Sequence, residues 1–150
     1  MRSKHLVAIL VLLMLVVPAA PAHAGGVVSV CDEAHLLAAL AGGGTVTFAC
    51  SDTIILTAEI VIATGTTIDG SGQAVTISGN HLVRVFSVNS GITLNLNGLN
   101  VTNGWASGGG GILNSGVLTV SNSTFTGNFS NGSGGGILNY STVTVSNSTF

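Results

Sequence analysis

The feature that most constrains this chain is a repeat. GGGILNSGVLTVSNSTF, at residues 109–125, returns as GGGILNYSTVTVSNSTF at residues 134–150, a shift of 25 residues. Residues 109–114 and 121–125 recur without change. A fainter copy, LNLNGLNVTNG at residues 94–104, aligns with LTVSNSTFTGN at residues 118–128 under a shift of 24. A period that wavers by one residue assigns one structural coil to each repeat, with the slack absorbed in a turn.

The coil is built from short runs rich in β-branched residues and separated by Gly, Asn and Ser: TVTF, TIIL, EIVIA, TTID, AVTIS, LVRVFSV, GITLNL, LNVT and VLTV. Such lengths suit strands and are too short for helices. A leucine-rich repeat would need a regular Leu ladder, which is missing, and hairpin repeats would not favour near-identical copies in register at one coil's length. The repeat therefore predicts an all-β fold, a right-handed parallel β-helix of about five coils. Each strand pairs with its equivalent one coil away, and the rest of the coil supplies the crossover that parallel pairing needs. Leu118 and Val120 are expected to stack on Val143 and Val145, and Phe125 on Phe150. Each such buried side chain contributes roughly 1.5 to 3 kcal/mol. Asn114 over Asn139 and Asn122 over Asn147 are expected to form amide ladders that satisfy buried turn carbonyls, a structural role before any functional one.

The N-terminal third divides differently. Arg2, Lys4 and His5 precede an apolar run over residues 6–17, followed by Pro18, Pro21 and Ala22-His23-Ala24. This is the pattern of a signal peptide over residues 1–24, and the run falls short of the roughly 20 residues of a bilayer span. Export would place Cys31 and Cys50 where a disulfide forms, closing a loop whose chain entropy is worth roughly 3 kcal/mol. Between them, DEAHLLAALAGGG predicts a short helix over residues 32–41. Leu36, Leu37 and Leu40 fall on one face, Asp32 and Glu33 lie at the positive end, and Gly42 begins the stop. Residues 25–44 then form a cap over the open sheet edge, and residues 45–150 form the coils.

The upstream stretch, CDEAHLLAALAGGGTVTFAC with TTIDGSGQAVTISGNHLVRVFSVNSGITLNLNGLNVTNG, is similar to the N-terminal part of secreted bacterial β-helix repeat proteins of the pectin-lyase-like superfamily. GGGIL at residues 109–113 and 134–138, with FTGN at residues 125–128, resembles the GGA[ILV] and FxxN repeats of polymorphic outer-membrane proteins; the third position is Gly here. The two likenesses together cover nearly all of residues 27–150. They imply a surface-displayed right-handed β-helix, secreted or at the outer membrane, and often an adhesin. The same coil carries lyases and hydrolases too, so activity must be argued from residues.

Charge limits what those residues can do. Only 5% of the chain is charged, and after signal cleavage Arg84 would be the sole fixed cation against Asp32, Glu33, Asp52, Glu59 and Asp69. So few cations exclude nucleic acid as a partner. No carboxylate pair matches the coil period, so Asp52 and Glu59 are expected to be solvated turn charges and no catalytic residue is assigned. Asp69 in TIDGSG is expected to bond backbone amides in a turn, and His35 and His81 show no metal-ligand spacing. SGGGG at residues 107–111 lacks the Lys of a P-loop and the Asp of calcium-binding repeats, and its glycines suit positive φ or tight turns. No cofactor or metal is expected. Trp105, in the loop at residues 104–107, and Tyr140, in a turn, are candidate glycan contacts. Thr119 over Thr144 and Thr124 over Thr149 suggest outward rows of the kind found on ice-binding β-helices. The six N-x-[ST] sequons follow from composition.

Phe150 interrupts a repeat that continued with Thr126, Gly127 and Asn128 one coil earlier, and no polar closing coil follows. The expectation is an N-terminal part of a longer protein, with membrane attachment, if any, through an anchor or barrel in further sequence. The functional expectation is a non-catalytic adhesin-like or structural passenger whose partners are glycans or other surface proteins. The alternatives are the N-terminal part of a polysaccharide lyase or glycoside hydrolase, and a glycan- or ice-binding module.

Overall fold

A computed structural model describes residues 25–150, so the expected signal peptide lies outside the described residues. The chain passes through β1 (Gly25–Val28) and α1 (Glu33–Leu40) into a first coil of β2 (Gly44–Phe48), β3 (Thr53–Ile55) and β4 (Ile60–Ile62). The second coil holds β5 (Thr66–Asp69), β6 (Val75–Ser78) and β7 (Phe86–Val88). The third holds β8 (Thr93–Asn97), β9 (Leu99–Thr102), β10 (Trp105–Gly108) and β11 (Ile112–Asn114). The fourth repeats it with β12 (Val117–Ser121), β13 (Thr124–Thr126), β14 (Phe129–Ser133) and β15 (Ile137–Asn139), and β16 (Thr142–Ser146) opens a fifth.

Strands pair with their equivalents in the next coil, always in parallel. The first sheet runs β1-β2-β5-β8-β12-β16, the second β3-β6-β9-β13, the third β4-β7-β11-β15, and β10 with β14 makes a short fourth. The protein is an all-parallel β-solenoid of about five turns with one short helix near its N-terminus. Strand alternation sends every second side chain inward, so that Val46, Ile68, Leu96 and Val120 form one buried column. Leu118 pairs with Val143 and Val120 with Val145, and the rings of Phe125 and Phe150 stack with centroids 4.8 Å apart.

The coil step is less regular than the repeat suggests. It is 22 residues from Thr45 to Thr67, 28 on to Asn95, 24 to Thr119 and 25 to Thr144. The second coil spends its extra residues at corners 70–74 and 79–85. In the later coils the corner between the first and second sheets is one left-handed residue: Gly98 (φ 65°), Asn122 (φ 50°) and Asn147 (φ 47°). A left-handed conformation costs an ordinary L-residue roughly 1 to 2 kcal/mol, which glycine escapes and asparagine offsets with local hydrogen bonds.

Three local expectations need correction. The sheet begins one strand early, at β1, because GGVV pairs with β2 and gives the helix a strand to lie on. The helix has Asp32 as its N-cap, accepting from the His35 N–H, but it buries Leu36 and Ala39 and leaves Leu37 exposed. Its packed face is therefore rotated from the expected triple-Leu face. LVRVFSV shortens to β7 because residues 79–83 turn back, the N–H groups of Leu82 and Val83 both donating to the Gly79 carbonyl while Asn80 and His81 take positive φ. Cys31 and Cys50 are bonded, holding the chain before α1 to the chain after β2.

Candidate functional site

The third sheet presents outward, in register, Val61, Ser87, Leu113 and Leu138. Two leucines here stack in adjacent coils on the outward face. They are half-buried, flanked by the ribbon of β10 and β14. Gly108 ends β10 beside Leu138, and a Cβ there would lie 2.7 Å from Leu138 Cδ2, so a side chain at this position would push the Leu138 tip aside. Within SGGGG, Gly109 alone takes the positive φ expected of the run. A cleft of about 340 Å³ results, lined by Arg84, Ser107, Leu113, Ser133, Leu138 and Tyr140 among others.

Arg84 forms the polar wall. Its Nη1 donates to Glu59 Oε2 at 2.6 Å, its Nη2 to the Gly108 carbonyl at 2.9 Å, and its Nε to the Gly109 carbonyl at 2.9 Å. Glu59 lies one coil before Arg84 and Gly109 one coil after, so a single guanidinium ties three coils together. The expectation that Glu59 is a solvated turn charge is thus overturned: the coil period brings it to a half-buried cation. Asp52 stays local, accepting the N–H of Thr53 at 2.7 Å.

Of the two aromatics singled out from sequence, the structure brings one to the cleft. Tyr140, in the turn after β15, lines it and is 72% exposed. Trp105 stands on β10 rather than in a loop, since residues 105–108 pair with β14, and it lies outside the cleft lining. Its register partner is Phe129, also exposed, which the sequence reading passed over.

The asparagine ladders divide into an inner and an outer kind. Asn114 is fully buried, and its Nδ2 donates to Asn139 Oδ1 at 2.6 Å and to the carbonyls of Gly116 and Thr142. Asn122 instead is exposed at its corner, so the expected service to buried carbonyls does not occur there. Its Nδ2 donates to Asn97 Oδ1 at 2.7 Å, and Asn147 Nδ2 reaches Asn122 Oδ1 at 3.5 Å. Serine serves the buried groups at that corner: the N–H of Leu99 donates to Ser123 Oγ, and that of Ser123 to Ser148 Oγ.

Outward columns of the first sheet read Thr45-Thr67-Asn95-Thr119-Thr144 and Thr47-Asp69-Asn97-Ser121-Ser146. The expected bridge of Thr124 with Thr149 forms as well. Asp69 anchors the second column, accepting from the Ser71 N–H and from Asn97 Nδ2, both at 2.9 Å. The Ser71 backbone bond, joined by its side chain and Asn97, holds the Asp69 carboxyl below the usual range against the opposing effect of burial. Asp32 is lowered by the His35 backbone N–H. For Glu33, burial raises the pKa, but bonds from Thr57 and Ala58 prevail and leave it lowered.

His35 bonds Asp32 and His81 sits in its turn, and among the described residues no three potential metal ligands cluster. No helix among the described residues is long and apolar enough to cross a membrane. Compared with protein-family models, with curated proteins and with solved structures, the chain finds no match.

Proposed function

We propose that this protein is a secreted or cell-surface β-solenoid working as a non-catalytic, adhesin-like or structural passenger. The observation that carries this reading is the pair of outward columns on the first sheet, hydroxyl and amide groups repeated coil after coil with Asp69 the only charge among them. Repeated weak hydrogen-bonding groups at one strand spacing suit multivalent attachment, in which avidity exceeds any single contact. The disulfide and the export pattern of residues 1–24 support a place outside the cytosol. The likenesses to pectin-lyase-like proteins and to polymorphic outer-membrane repeats support surface display.

Beads coated with the purified protein should adhere to glycan-coated surfaces and to cell monolayers more than beads carrying a scrambled-coil variant. Equal adhesion by the two, or depolymerisation of polygalacturonate by the protein, would sink the reading. A second reading, ice binding, draws on the Thr45-Thr67-Asn95-Thr119-Thr144 column, in which four of five positions are threonine. Ice crystals grown in the protein should then show faceting, and unmodified discs would end that idea.

A further inference from the structure

We propose that the cleft between the third sheet and the β10–β14 ribbon binds one pyranose ring of an uncharged glycan. This rests on the adhesive reading and names the place on the surface where a sugar is gripped. A pyranose has apolar C–H faces and a rim of hydroxyls, so its site needs an apolar floor, an aromatic face and polar groups at the edge. The cleft holds all three. Leu113 and Leu138, paired in register, make the floor, Tyr140 stands at the rim, and Ser107 and Ser133 bring hydroxyls from the ribbon. At about 340 Å³ it lies at the small end of ligand sites, suited to a single ring rather than a long chain segment.

Arg84 sets the charge preference. Its terminal nitrogens carry four N–H groups, and the bonds to Glu59 and Gly108 engage one on each. One N–H on each nitrogen is left for a ligand oxygen. The Glu59 carboxylate at 2.6 Å already balances the guanidinium, so the wall presents donors without net charge. An acidic sugar would gain little there, because Glu59 already offsets the guanidinium charge, whereas a neutral hydroxyl needs only a donor and accepts from Arg84 without a charge of its own to balance. The site is absent from the earlier coils because it needs Arg84, the outward leucines and the ribbon together. These meet only where the third and fourth coils pass over the second.

Calorimetric titration of the purified protein with cellohexaose, mannohexaose and xylohexaose, and with trigalacturonate as the charged probe, tests this. At least one neutral probe should bind, and trigalacturonate should bind more weakly. Tyr140→Ala should weaken the neutral probe about tenfold, Arg84→Lys, which keeps the charge but loses the planar fork, severalfold, and Trp105→Ala not at all. Tyr140 is exposed at a turn, so its variant folds and decides the matter even if Arg84→Lys does not. Binding of no neutral probe, preference for trigalacturonate, or indifference to Tyr140→Ala overturns the proposal. Bead adhesion by a protein that binds none of the neutral probes overturns the cleft and leaves the adhesive reading standing. Sugar binding without bead adhesion does the reverse.

Discussion

The first and the last of the described coils are made from similar strands and differ in what lies against them. At the N-terminal end, β1 and α1 lie over the first coil, Val28 and Leu36 are fully buried, and the Cys31–Cys50 bridge ties the cover down. In the fifth coil, Val145 is 44% exposed where its partner Val120 is 0%, and Phe150 is 60% exposed where Phe125 is 4%. The residue types and the strand geometry are the same. Burial in this fold therefore belongs to the interface between coils and not to the coil, so each coil depends on a neighbour for its stability.

Substitutions can break that contrast, starting at the covered end. Leu36→Ala should lower unfolding free energy by about 3 to 5 kcal/mol in denaturant titration, because it opens a cavity under the cap. A loss below about 1 kcal/mol would show that α1 contributes little. Replacing Cys31 and Cys50 by serine should cost about 3 kcal/mol, read as a lower melting temperature that reductant no longer affects. Val120→Ala should cost about 2 kcal/mol and Val145→Ala about 0.5 kcal/mol or less. Equal losses would refute the claim that the interface, rather than the coil, decides.

Corner residues sharpen the comparison from the opposite side, since left-handed strain is local. Asn122→Ala and Asn147→Ala should each cost about 1 kcal/mol, nearly alike despite the difference in burial around them. The smallest effect is acid loosening of the covered end. The lowered pKa values of Asp32, Glu33 and Asp69 mean that their stabilisation is complete above the usual carboxylate range and is lost as pH falls through the depressed folded values. Amide exchange should therefore quicken around α1 and the corner after β5 below about pH 4, with β12 to β15 unchanged. Uniform quickening along the solenoid would count against this.

Much of the fold was legible because stacking copies of one coil writes its own period into the chain. The identity of residues 109–114 with 134–139 predicted the register of β11 on β15 to the residue. Strands rich in glycine or serine escaped: WASG and FSNGS hold no β-branched residue and pair because a neighbour offers an edge, and GGVV has only two valines behind two glycines. With β10 and β14 went Phe129 and half the cleft. Arg84 and Glu59 were missed for a different reason. Their spacing of 25 residues is one coil, and that period links a carboxylate to a guanidinium rather than one carboxylate to another. The same one-coil spacing joins Glu33 to Ala58. Tyr140 was visible as a turn aromatic, whereas the outward aim of Leu113 and Leu138 needed the strand phase.

The self-stacking of the coil has a genetic consequence. Leu118 sits on Val143, Phe125 on Phe150 and Asn114 on Asn139, so each unit is shaped to receive a near copy of itself. A tandem duplication of the DNA encoding one coil inserts a segment that fits both neighbours without further change, and a deletion of one coil rejoins surfaces that already match. Length thus becomes a heritable variable that recombination can adjust in whole steps. Loci encoding such a solenoid should differ between lineages by the number of coils more readily than by what any coil contains.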